Sequence, residues 1–230
     1  MPYQFVSADD FLRLAHLFYL FQTETVCFRQ KDSHFPFTKL RINDTLLSTE
    51  FTSRFPNIHN GIFLDVLAQD YTSNNAFLRK IHMKATASSR WLVLDKWRGT
   101  SVNANSRFSS LCANILRKIF PLGFLQKVQN KLISLHKNMK NPKYLFDSMG
   151  RNVSRGAFPA EWLDEAIWVD FENAKLPIPK EYDKYLKYLY GDYMEMIPVS
   201  ERHVSHDIKQ IDLGEYAGYV CKDSFAKLEK

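Results

Sequence analysis

The sequence predicts a mixed α/β domain, of the α+β kind, in which a small sheet is joined to a helical insertion. Two short runs with strand character lie close together, at residues 37–42 and 61–67. Helical periodicity then runs from about residue 75 to 140, and strand-like segments return near 166–179. Strands, then helices, then strands is the order of an α+β arrangement. With 45% hydrophobic and 14% aromatic residues, the 230-residue chain has too much apolar content for disorder and enough for one sizeable core or two small ones.

Taken in order, Ser7 can cap a helix, with Asp10 at the third helical position. Phe11, Leu14, Ala15, Phe18 and Phe21 recur at helical spacing, and this helix is expected to end near Gln22. Val26, Cys27 and Phe28 suit a short strand. Residues 37–42, FTKLRI, alternate apolar and polar and read as a half-buried strand. Residues 61–67, GIFLDVL, are apolar except for Asp65, the pattern of a buried strand presenting one acid. A helix is expected from about Asn75 to Arg98. Two more follow near 106–120 and 122–139, separated by Pro121 and ended by Asn141-Pro142. Residues 166–172 read as a strand with 175–179 as its partner, and Tyr182, Tyr185, Leu186 and Leu189 mark a short helix. From Pro198 onward the chain is expected to be irregular.

The net charge of +6 is unevenly spread. Residues 79–143 hold 14 basic side chains and one acid, Asp95, while the segments on either side are slightly acidic. Such a block calls for an anionic partner. The two helices inside it have apolar stripes: Phe108, Leu111, Cys112, Ile115, Ile119 and Phe120 on the first, and Leu125, Val128, Leu132 and Leu135 on the second. Lys127, Lys131 and Lys137 surround the second stripe. These helices can pack on a core with their lysines in water, or face an anionic membrane surface. Nucleic acid is a poorer fit, because aromatics do not interleave with the basic residues on a strand-like platform. Cys27, Cys112 and Cys221 are far apart and odd in number, which predicts reduced thiols in a cytoplasmic protein. Neither a signal peptide nor a spanning helix is expected.

A carboxylate inside an apolar strand is costly unless it meets a cation. For Asp65 that cation is either a metal ion or Lys39 or Arg41 on a neighbouring strand, where the two-residue period puts both on one face. Asp70 reads as a turn former or helix cap. His203 and His206, three apart, make a weak metal signal but suit acid–base work near neutral pH. Tyr182, Tyr185, Tyr188, Tyr190 and Tyr193, with Trp162 and Trp168, can pack or can enclose a quaternary ammonium.

Three blocks carry a resemblance to a known family: FTKLRINDT from Phe37 to Thr45, GIFLDVLAQD from Gly61 to Asp70, and a longer one. The longer block comprises GAFPAEWLDE from Gly156, FENAKLPIPKEYDKYLKYLYGDYM from Phe171 to Met194, then Pro198 and ERHVSH ending at His206. Together they cover a little under half of the chain and resemble LicD-type phosphotransferases; residues 79–143 show no such match. The resemblance implies a partial nucleotidyltransferase-like domain and Mg2+ or another divalent cation as cofactor. It implies transfer of a phospho-alcohol such as phosphocholine from a CDP-linked donor to a sugar hydroxyl of lipopolysaccharide, teichoic acid or capsular glycan, on a precursor that can be lipid-linked. Asp65 would be a metal ligand and catalytic residue, His206 a second catalytic residue, and Lys39 and Arg202 substrate-binding residues. The family's aspartate cluster has no counterpart here, so the chain is expected to be a truncated single domain, or one of two complementary polypeptides. It would then lack turnover by itself and sit in the cytoplasm, peripheral to the membrane's inner face.

Overall fold

A computed structural model describes residues 26–28, 38–50, 52–54, 59–99, 107–148, 156–171, 174–196, 198–201 and 208–219. The helix expected between Ser7 and Gln22 lies outside the described residues, as do Arg202, His203 and His206. The fold is mixed α/β with small antiparallel sheets. Its described residues fall into two compact units, one within 67–196, the other combining residues of 26–66 with residues after 197.

In the smaller unit, β1 (Val26–Phe28), β2 (Thr38–Ile42) and β4 (Phe63–Val66) form an antiparallel sheet in the order β1-β2-β4. The runs 37–42 and 61–67 therefore do lie side by side, with Lys39 opposite Asp65 and Arg41 opposite Phe63. The second run is not the buried strand its composition suggested. It is an edge strand, and Leu64 is 64% exposed. β3 (Leu46–Thr49) pairs with β10 (Ile208–Asp212), so the segment after Pro198 contains a strand where irregular chain was expected. Every residue of β10 is exposed, so its backbone hydrogen bonds, not an apolar face, define it.

In the larger unit, β5 (Asp70–Thr72), β6 (Tyr144–Phe146) and β7 (Phe158–Pro159) make a second antiparallel sheet. Helix α1 (Ala76–Arg98) begins at Asn75, whose Oδ1 accepts from the backbone N–H groups of Phe77 and Leu78. It ends at Gly99, whose φ of 70° favours glycine. Helices α2 (Arg107–Ile119) and α3 (Leu122–Ile133) follow on either side of Pro121. α3 packs antiparallel to α1, for His82 near the start of α1 reaches the Leu132 carbonyl at the end of α3. Met83, Val93 and Leu94 are buried on α1, as are Leu125 and Ile133 on α3. β8 (Ala166–Phe171) and β9 (Ala174–Pro179) form the expected pair, followed by α4 (Tyr182–Tyr190). Leu145, Phe158, Ala160 and Leu163 form a core cluster covered by Trp162, Tyr185 and Tyr188. Among the described residues no helix is long and apolar enough to cross a membrane.

Candidate functional site

Antiparallel pairing of β2 with β4 places Lys39, Arg41, Phe63 and Asp65 on one face of the sheet, since side chains two apart share a face. Lys39 Nζ lies 2.5 Å from Asp65 Oδ1 and 3.5 Å from the centroid of the Phe63 ring. The Arg41 guanidinium sits 5.2 Å from the same ring and donates to the Gly61 carbonyl at 2.9 Å. Gly61 is close enough to the Ile42 carbonyl that a Cβ would strike it, so glycine is required here. Thr45 pins the same corner: its hydroxyl donates to the Ile42 carbonyl and accepts from the Ile62 N–H.

The two cations are the buried members of this face. Lys39 is 7% and Arg41 4% exposed, whereas Asp65 is 36% exposed. Burial pushes the Lys39 ammonium below its ordinary pKa of 10.5, and the hydrogen bond it donates to Asp65 opposes that shift. The pair thus presents a carboxylate to solvent from above a buried ammonium. Only Oδ1 of Asp65 is engaged in the pair. Of the two cations that the spacing offered to Asp65, the structure supplies Lys39; Arg41 shares the ring.

A divalent cation fits this donor set only in part. Magnesium is held through one or two carboxylates together with substrate phosphates and water. Asp65 can supply one such ligand, and among the described residues no three His, Cys, Asp or Glu side chains gather as a metal-holding group.

Other sequence candidates fall elsewhere. Asp70 caps no helix; it is 4% exposed at the start of β5 and accepts a hydrogen bond from the buried Ser148 hydroxyl. The tyrosines do not converge as a cage. Tyr185 and Tyr188 pack against Phe158, at centroid distances of 5.0 and 5.8 Å, while Tyr190 is exposed and Tyr193 donates to Asp183. Burial and the Asp147 carboxylate raise the Tyr185 hydroxyl to about 12, as suits a packed phenol. Trp168 is exposed on β8.

Sequence reasoning missed a second polar cluster, around His82. Its Nδ1 accepts from the Thr72 hydroxyl at 2.9 Å, and its Nε2–H donates to the Leu132 carbonyl at 2.7 Å. His136 lies 4.5 Å away, ring to ring. With both nitrogens occupied, His82 is a structural tie between β5, α1 and α3. The signal was present, because His82 falls on the helical stripe shared by Thr86, Ser89 and Val93.

No protein-family model matches the sequence, and no curated protein and no solved structure matches it.

Proposed function

We propose that this chain handles a cytidine diphosphate-linked alcohol such as choline, in the manner of LicD-type transferases, with Lys39 and Asp65 contacting the donor. The acceptor is a sugar hydroxyl of a cell-surface glycan precursor. One observation carries the reading. The first two sequence blocks that resemble the family contribute neighbouring strands, and the residues the resemblance singles out in those two blocks, Lys39 and Asp65, stand opposite one another in contact.

The chemistry of the pair suits this use. A buried ammonium deprived of its carboxylate is strongly unfavourable. Lys39 can therefore release Asp65 only when another anion, the donor diphosphate, takes its place. Asp65, once released, is free to hold a divalent cation. Cation and diphosphate binding are coupled through this exchange. The bound cation would neutralise charge on the transferring phosphate. The sugar oxygen bonds to the phosphorus next to the alcohol, the bond to the CMP oxygen breaks, and the acceptor proton passes to a base. The resemblance assigns that base to His206, with Arg202 beside it.

Calorimetric titration with CDP-choline, with and without Mn2+, tests the reading. Binding is expected only when Mn2+ is present, and Lys39→Met or Asp65→Asn is expected to weaken it at least about tenfold, a loss equal to one charge-assisted hydrogen bond. Equal binding by the folded double variant, or none by the parent at millimolar ligand, would remove this site from the function.

A further inference from the structure

Helix α2 is inside out. Its polar stripe, Ser110, Asn114 and Arg117, is the half-buried one. Arg117 donates to the Asp95 carbonyl at 3.1 Å and accepts at its own carbonyl from Lys96 Nζ at 2.5 Å, tying the helix to the end of α1. Much of the apolar stripe faces away: Leu111 is 58%, Ile115 45% and Ile119 65% exposed, while Cys112 and Phe120 are half-buried. On α3 the exposed apolar surface continues with Phe124 and Val128, at 46% and 39%. Phe120 and Phe124 stack at 4.8 Å across the turn between the helices.

The rim of this surface is cationic. Lys118, Lys127 and Lys131 are exposed, and none has an acidic partner among the described residues. The sequence holds no acid between Asp95 and Asp147. An aliphatic ridge edged by lysines matches the interfacial layer of an anionic bilayer, where apolar side chains enter the acyl boundary and ammonium groups meet phosphate. A second copy of the chain fits worse, because its own lysine rim would oppose this one with no acid to answer it. Nucleic acid would use the lysines and leave the ridge in water.

We propose that the α2–α3 face is a peripheral docking site for anionic membranes. The surface lies outside the Lys39–Asp65 pair and does not depend on the reading of that pair.

Vesicle sedimentation is the test, with phosphatidylcholine alone and with phosphatidylglycerol added. Binding rises with the anionic fraction and falls with added salt. Changing Lys118, Lys127 and Lys131 together to Glu weakens it by about a hundredfold, given the worth of one cation near such a surface. These positions are exposed, so circular dichroism is expected to be unchanged. A Phe124→Trp variant reports insertion separately, through a blue shift in its emission on anionic vesicles. The proposal is overturned by equal vesicle binding by the charge-reversed protein, by no blue shift at position 124, or by a dimer in solution that Ile115→Glu dissolves. Tighter binding to a single-stranded oligonucleotide than to anionic vesicles would also overturn it.

Discussion

Helices α2 and α3 are neighbours across Pro121 and both carry apolar residues, yet α3 buries part of its set while Leu111, Ile115 and Ile119 of α2 stand in solvent. In α3, Leu125 and Ile133 are buried against α1, and the exposed side holds Phe124, Val128 and lysines. In α2 the aliphatic side is exposed, and hydrogen bonds through Arg117 hold the polar side against the chain. An apolar repeat therefore identifies a face without saying what it faces. The strand pair β2–β4 makes the same point in the smaller unit, with Lys39 and Arg41 buried and Leu64 in solvent.

The largest expected contrast is energetic. Ile133→Ala removes a side chain that is 3% exposed and is expected to cost about 2–4 kcal/mol in urea unfolding. Ile119→Ala, at 65% exposure, is expected to stay within about 0.5 kcal/mol. Similar costs at both positions would break the contrast between the helices. The buried-cation pattern comes next: Asp65→Asn leaves the Lys39 ammonium without its carboxylate and is expected to cost about 1–3 kcal/mol, discounted for the exposure of Asp65. Arg117→Met is expected to cost about 1 kcal/mol and to speed hydrogen exchange in α2 more than in α3.

A smaller effect is set by pH. Burial lowers the pKa values of His82 and His136 below 6.5, and for His136 the nearby His82 adds to the shift. The folded state then binds fewer protons than the unfolded one between those values and 6.5. Stability is full above pH 6.5 and falls as the pH drops through and below it. The urea midpoint is expected to decline on acidification past 6.5, and His136→Phe is expected to make that decline shallower. His136 Nδ1 is buried and has no hydrogen-bond partner among the described residues, so replacing its ring removes little that stabilises the neutral form.

Much of the fold was legible because its long elements follow simple periods. Helix α1, the β8–β9 pair and α4 fall where spacing places them, and the alternation in FTKLRI correctly puts Lys39 and Arg41 on one face. The alternation does not say which face is buried, and here it is the cationic one, since a sheet face that holds Phe63 can take in two cations by stacking them on the ring. β5, β6 and β7 escaped notice because two or three residues cannot show a period. β10 has no apolar alternation, and its pairing with β3 is fixed only by the backbone. The stripe of Leu125, Val128, Leu132 and Leu135 was split: on α3 Leu125 turns inward and Val128 outward, Leu135 lies exposed beyond the end of α3 at Ile133, and Gln129 is buried with Leu125 and Ile133. Of the candidate site, the Lys39–Asp65 contact was legible as one of three cation choices, beside Arg41 and a metal ion, because opposite positions on paired strands lie within side-chain reach.

Thiol-modification rates at position 115 test the outward apolar face most directly. In a protein whose three native cysteines are serine, Ile115→Cys is compared with Gln129→Cys, in buffer and with anionic vesicles. The account expects fast modification at 115 and slow modification at 129 in buffer, then strong protection of 115 alone when vesicles are added. Slow modification at 115 in buffer would show that this face is already covered. Fast modification at 115 with vesicles present would contradict its burial in a membrane.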